Sequence, residues 1–450
     1  MSSVLIVGAG IAGDALAVML DRAGWQVTVV ELASGLRSGG QTVDLRGDSR
    51  EVLEGMGLLD ACLTHLVDQR GLKWIREDGR SRAEMPVTAF GGNGFVSTEE
   101  LLRTDLARVI HAAAGPRTVH RWGDTVTAIR QYSDSVFVAF RHHDPERFDL
   151  VVGADGAHSR VRSLVFGPEE NYRRPLGLAH AWFTLRADAG TPDLDGWSVI
   201  CNLPGSRLLA ARPGHDGEQE VGLTFPADEL PARGDREARF GLLEREFAGA
   251  GWRAGEFLRA AREADDFALD TYDQIVMPTW HDGRVVLLGD SAWCASPLSG
   301  LGTALALQGA QALAESLAGG ESSAGPKGRA ANEGDRGIHE VPLDTVSLGT
   351  SAPETSAPET SALQTSALDA VSLETALNEF ERRMRPRADA ARRMFPGRVR
   401  SYAPRTAWGI RVMTGVMRLV QTRPIAALLE RGAASYGTAP TTAEREPLGS

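Results

Sequence analysis

The apolar positions of this chain follow two rhythms. Some form short unbroken runs that end in glycine, and others recur every three to four residues. Val4-Leu-Ile-Val7 is the first short run and predicts a buried parallel strand. Ala15, Leu16, Met19, Leu20 and Ala23 follow at helical spacing until Gly24 stops them, and residues 26 to 31 read as a second strand. The strand pattern returns at 149 to 154 and at 284 to 288. A helix is expected over 98 to 113, with strands near 125 to 129 and 135 to 140. Residues 172 to 280 are strand-rich, carry Trp182, Phe183, Trp197 and Phe225, and are broken by Gly/Pro turns, as in an antiparallel sheet. Helical spacing resumes over 303 to 317 and 374 to 394, and an amphipathic stretch covers 407 to 429.

Three of these predicted strands end in turns of glycine and acid. In Gly8-Ala-Gly10-Ile-Ala12-Gly13, the first glycine permits a tight turn. The second lets backbone approach a pyrophosphate, and the third allows close helix–strand packing. The helix that follows would aim open N–H groups and a partial positive charge at the phosphates. Glu31, 23 residues after Gly8, stands where an acid accepts hydrogen bonds from an adenosine ribose. Asp14 fits badly, because an acid beside Gly13 repels pyrophosphate unless it points away. Asp155-Gly156 places a carboxylate and flexible backbone at the ligand-binding edge of a parallel sheet, with Ser159, Arg160 and Arg162 nearby. The acid of Gly289-Asp290 can bond a polyol such as a ribityl chain. Pro297 stiffens the next loop, and Gly300 and Gly302 bring backbone close to a flat ring. Thr303 then opens a helix whose positive end would stabilise a reduced flavin. Together the three turns point to FAD. The fold class expected is α/β: a Rossmann-type domain with GxGxxG, interleaved with an antiparallel-sheet domain and followed by C-terminal helices.

The expected FAD-binding domain comprises residues 1–70, 98–170 and 284–318, and the substrate-binding sheet domain 71–97 and 171–283. Residues 319–370 read as a disordered low-complexity insertion. They hold a five-residue repeat beginning at Thr350 and few large apolar groups to offset ordering entropy. Residues 371–450 read as a C-terminal helical region. Composition then excludes some functions. Hydrophobic residues make up 42% of 450, enough for two or three domains with a sizeable core, and the net charge of −11 argues against nucleic-acid binding. Cys62, Cys201 and Cys294 give neither metal-ligand spacing nor a disulfide framework, so no metal is expected and a cytoplasmic, reducing location fits. The early first strand leaves no room for a signal peptide, and no run of about 18 apolar residues offers a membrane span. Residues 381 to 431 hold 13 arginines against three acids. A helical cover over the substrate sheet is the simpler reading of that stretch, and contact with a membrane surface or acidic carrier protein the alternative.

At these positions the chain resembles the group A flavoprotein monooxygenases, the para-hydroxybenzoate hydroxylase-like family. It is especially similar to the actinobacterial branch of tetracycline-modifying and polyketide hydroxylases. The carrying residues are the glycines and Glu31 above, Leu36-Arg37, the loop 39 to 47, Arg103, Asp155-Gly156, Gly289-Asp290 and the segment 296 to 303. The resemblance covers about residues 3 to 318 and 374 to 400. It implies that Arg37 and Arg103 lie along the adenosine and pyrophosphate, and that the loop 39 to 47 borders the isoalloxazine. It also implies that Asp155-Gly156 serves both FAD and NADPH. The implied reaction has NADPH or NADH reduce FAD, and O₂ add at C4a to give a hydroperoxide. The distal oxygen would pass to an electron-rich carbon of a polyketide or aromatic natural-product intermediate. Catalytic residues stay unassigned, with Arg46 and Pro297 the candidates near the flavin. Trp182, Phe183, Phe225 and Arg212 are candidate substrate contacts, each equally readable as core. Trp293 stands where the family usually has His or Tyr. A tryptophan beside the flavin keeps open a second class, an FAD-binding cyclase that closes a polyketide ring without redox chemistry.

Overall fold

The computed structural model describes residues 1–322 and 369–421, apart from 38, 40, 93, 189, 395 and 396. The expected insertion at 319–370 therefore lies outside the described residues except at its two ends, as does the C-terminal region beyond 421. The first apolar run forms β1 (Ser3–Val7), with Val4, Leu5 and Ile6 fully buried. Helix α1 (Ile11–Arg22) and β2 (Gln26–Glu31) follow. β1 lies inside a six-stranded sheet, parallel to β2 on one side and to Leu150–Gly153 on the other. Thr118–Trp122 extends the sheet beyond β2, and Val285–Leu287 extends it beyond Leu150–Gly153. His281–Asp282 closes that edge in antiparallel sense. Such a parallel sheet is buried on both faces, which is why its strands read as unbroken apolar runs. The α/β fold class expected from the sequence is the one observed.

A second sheet has seven strands in the order Ala268–Ile275, Arg173–Leu185, Gln219–Phe225, Arg207–Pro213, Trp197–Leu203, Gly71–Ile75 and Ser81–Pro86. Its neighbours are antiparallel except Trp197–Leu203 and Gly71–Ile75, which run parallel. Helices Arg236–Glu246 and Ala254–Glu263 bury one face, where Phe240, Leu243 and Phe257 meet Phe183, Val221, Leu223 and Phe225. Phe225 is fully buried and edge-on to Phe247, so it belongs to this core. The opposite face, with His180, Trp182 and Arg212, borders a cavity.

The helix expected from residue 98 begins later. Glu100–Leu102 instead pairs antiparallel with Thr42–Asp44, and the helix is Arg103–Ala112. The helical pattern was misleading here because Leu101 is fully buried in an extended segment. Three arginines of the described C-terminal helices pin them to the body of the protein. Arg385 Nη1 donates to the Met277 carbonyl at 2.7 Å, Arg392 Nη1 to that of Ile275 at 2.9 Å, and Arg398 Nη2 to that of Leu298 at 3.1 Å. Among the described residues no helix is long and apolar enough to cross a membrane.

Candidate active site

The parallel register brings the three glycine–acid turns together. Val7 pairs with Gly153 and Gly153 with Leu287, so Gly8, Ala154 and Leu288 leave the sheet side by side. A Cβ on Gly8, where φ is +109°, would lie 2.4 Å from the Ala154 carbonyl oxygen. One on Gly13 would lie 2.0 Å from the Gly8 carbonyl oxygen, and one on Gly289 would lie 3.1 Å from the Ala12 side chain. Gly10 behaves differently. Its Cβ would meet only Arg103 Nη2, at 4.0 Å, so the space above it is open. Gly10 also caps α1 without a side chain, which leaves the first-turn N–H groups unfilled.

Charged groups surround that space. The Glu31 carboxylate accepts from the Ala9 N–H at 3.0 Å and the Ala33 N–H at 2.9 Å, and exposed Arg37 stands 3.8 Å away. Arg103 and Asp290 are both exposed to solvent yet hemmed in by protein. Desolvation in this crowded groove lowers the Arg103 pKa, assisted by Arg37 and opposed by Asp290 and Glu31. Desolvation likewise raises the pKa of Asp290, opposed by Arg103. Accessible charges at the bottom of a groove, beside open backbone donors and a missing Cβ, are what a dinucleotide requires. The residues present fit FAD.

Asp155 does local work. Ser159 Oγ and Ser291 Oγ donate to its Oδ1 at 2.5 and 3.2 Å, while the Arg160 and Val161 N–H groups donate to Oδ2 at 2.6 and 3.1 Å. Desolvation raises its pKa, and these donors oppose the shift. Ser291 Oγ also accepts from the Gly156 N–H at 2.9 Å, tying the second turn to the third. Fully buried Arg162 braces both, donating to the Ser291 and Ala157 carbonyls and to Glu169. Nothing in the sequence marked Ser291 or the buried role of Arg162.

Two local expectations change. Trp293 does not stand beside the groove. It is 1% exposed and packs with Trp280 at 4.5 Å and Phe380 at 5.9 Å in the main core. Asp14 does point away from the pyrophosphate side: its carboxylate is met by His111 and His120, behind α1.

The third turn leads to a cavity of about 430 Å³. Buried Ser296 adopts φ +76°, a strained value for a non-glycine residue, and throws the Pro297–Ser299 turn outward. Gly300 follows in the left-handed region, and the helix Gly302–Ser322 starts with Thr303 in its first turn. Pro297, Leu298 and Gly300 form one side of the cavity. The free face of the seven-stranded sheet forms another, with Trp182, Ile200 and Arg212, whereas the Phe183 side chain belongs to the core on the helix side. Helix Ala407–Leu419 roofs it with Met413 and Met417. Arg46 is held by Asp44 and by the Gly94 carbonyl at 3.1 Å and is not part of this lining.

The polar groups of the cavity form a chain. Gln41 Nε2 lies 3.1 Å from His180 Nε2, and His180 Nδ1 lies 2.8 Å from Thr224 Oγ1. The His180 ring stacks on Tyr272 at 5.4 Å. Burial, with Arg212 nearby, holds the His180 pKa down to about 3. Arg212 Nη1 donates to Thr42 Oγ1 at 2.7 Å, and Glu220, its register partner, accepts from the Thr42 N–H at 2.8 Å. Desolvation pushes Glu220 up to about 8 despite Arg212. Sequence reasoning found Arg212 and Trp182 but missed His180, Glu220 and Tyr272, whose meaning depends on cross-strand neighbours.

Known proteins share the sequence pattern and the fold. The FAD binding domain family matches residues 1–331. Rv1260 of Mycobacterium tuberculosis (strain ATCC 25618 / H37Rv), itself described as uncharacterized, is 40% identical over 319 residues, which is 70% of this chain and 85% of its own. The FAD-dependent monooxygenase asL4 of Sarocladium schorii is 36% identical over 325 residues, 70% of this chain and 75% of its own. Among solved structures, the tetracycline destructase Tet(51) shares the fold with a TM-score of 0.70 at 23% identity, over 94% of this chain and 97% of its own. The resemblance read from the glycine–acid turns thus holds at the level of family: the chain belongs to the FAD binding domain family, among the FAD-dependent monooxygenases.

Proposed function

We propose that this protein uses NAD(P)H and O₂ to hydroxylate a polyketide or aromatic natural-product intermediate. One oxygen atom enters the substrate and the other leaves as water while the nicotinamide is oxidised. FAD, when bound, accepts the hydride and activates oxygen; the protein positions and shields. The α1 N-terminus with Gly10, Ala12 and Gly13 would hold the pyrophosphate, together with Arg103. Glu31 and Arg37 would hold the adenosine end. Asp290 would take the ribityl chain, and Pro297, Gly300, Gly302 and Thr303 would border the ring. Asp155 and Gly156 would shape the groove by clamping the second turn to Ser291.

The observation that carries this reading is the cavity that begins at Pro297 and Gly300. Its walls are mainly aromatic and aliphatic, suited to a flat apolar substrate and to excluding water. Arg212 offers a cation to an enolate or phenolate. His180, held neutral and engaged by Gln41 and Thr224, would fix the Gln41 amide at the cavity wall without adding charge. The non-redox cyclase reading drew on a tryptophan beside the flavin, and Trp293 lies in the core instead.

The test mixes FAD-loaded protein with NAD(P)H and a panel of aromatic polyketides in ¹⁸O₂. A product heavier by one labelled oxygen, formed only when nicotinamide and O₂ are both present, is expected. Product formed without either would overturn the hydroxylase and favour cyclisation.

A further inference from the structure

We propose that Asp14, His111 and His120 form a binding site for a divalent transition-metal ion of the zinc class, behind the nucleotide groove. The three residues come from α1, from the last turn of the helix Arg103–Ala112 and from the strand Thr118–Trp122. Residues so far apart in sequence leave no spacing motif to read.

Geometry carries the assignment. His111 Nδ1 lies 3.2 Å from Asp14 Oδ2, and His120 Nε2 lies 3.1 Å from Asp14 Oδ1. The three ligand atoms all fall within 4.8 Å of one another. Ligands on a tetrahedral zinc with bonds of about 2.0–2.1 Å sit about 3.3 Å apart, so little movement is needed to close the shell. Two imidazoles and a carboxylate form a donor set that a borderline cation favours. The imidazoles are already oriented: His120 stacks on Trp122 at 5.6 Å, and the two rings lie 4.3 Å apart.

Charge points the same way. Asp14 is 2% exposed, and among the described residues its carboxylate is met by these two imidazoles, neither of which bears a permanent charge. A buried carboxylate is costly unless compensated, and a divalent ion compensates it. His111 is half-buried, so solvent can reach the fourth coordination position. The ion would staple α1 to the helix that carries Arg103. His111 lies about two turns beyond Arg103, so the staple fixes the rear of the groove without entering it.

The experiment uses full-length protein stripped with a chelator, loaded with Zn²⁺, gel-filtered and assayed for metal. One retained equivalent and a higher melting temperature are expected. His111→Ala and His120→Ala should each weaken Zn²⁺ binding roughly tenfold or more, with FAD content and circular dichroism unchanged. No retention by the wild type, or undiminished affinity in both variants, overturns the site. Should a variant misfold, X-ray absorption of the zinc-loaded wild type decides. A shell with two imidazoles and a carboxylate supports the proposal, and a shell without the imidazole pair refutes it.

Discussion

Gly10 and Gly13 share one motif but answer to different constraints. At Gly13 an added methyl would sit 2.0 Å from the Gly8 carbonyl oxygen, whereas at Gly10 the nearest atom is 4.0 Å away. Gly13→Ala should therefore destabilise the apoprotein by at least about 1–3 kcal/mol. Gly10→Ala should leave the apoprotein melting temperature nearly unchanged and weaken FAD binding roughly tenfold or more, as a methyl blocks the approach of phosphate. Thermal melts without ligand, followed by FAD titration, separate the two, and an unfolded Gly10→Ala apoprotein would contradict the assignment. His180 gives a second prediction. Its folded pKa of about 3 lies below its ordinary 6.5, so between those values the unfolded chain binds the proton and the folded chain does not. Its contribution to stability is present above pH 6.5 and is lost as pH falls toward 3. Chemical denaturation across that window should show a shallower acid slope for His180→Asn than for wild type. The glycines were legible in the sequence because backbone geometry demands them. His180 was not, because its partners Thr224 and Gln41 arrive from other strands and loops.

Among elements, the C-terminal helix Ala407–Leu419 shows where pattern reading succeeds and where it stops. Its amphipathic spacing was visible, and the structure lays it over the cavity. Met413 and Met417, four residues apart, face the cluster of Leu72, Trp74, Met85 and Val96. That they form the roof of a cavity rather than a plain core contact depends on the distant Pro297 turn on the opposite wall. Replacing both methionines with alanine removes apolar contact worth about 1 kcal/mol or more each. An apolar anionic dye such as anilinonaphthalene sulfonate should then bind roughly tenfold more weakly, with FAD content unaffected. Equal dye affinity in the double variant would remove this helix from the ligand site. Trp293 teaches the converse. Its place three residues after Asp290, where the resembled family has His or Tyr, suggested a position beside the flavin, but the short helix Asp290–Trp293 turns it into the core against Trp280 and Phe380.

At the scale of the whole molecule, His158 joins the two sheets. It follows the Asp155-Gly156 turn of the parallel sheet, and its ring nitrogens lie 2.9 Å from Glu169 and from Asp270 of the seven-stranded sheet. Hydrogen bonds to Asp270 and Glu169 raise its pKa from 6.5 to about 9. The contribution is fully present below pH 6.5 and is lost as pH rises through 9. The melting temperature should decline across that interval, and His158→Gln should lack that part of the decline; parallel curves would show that the bridge carries no weight. The division into a parallel and an antiparallel sheet was readable from the glycine-ended apolar runs and from the strand-rich, Gly/Pro-broken stretch at 172 to 280, whereas this tie between them was not.

The interleaving of the sheets also governs how the polypeptide is born. β1 needs a neighbour that begins at Leu150, and Gly71–Ile75 needs one that begins at Trp197. A ribosome releases these early strands with only their near partners, β2 and Ser81–Pro86, so each carries one unpaired apolar edge until its distant mate emerges. Neither half can be cut out and expected to fold alone. Yield in a host cell should therefore rise when chaperones that guard such edges are supplied alongside.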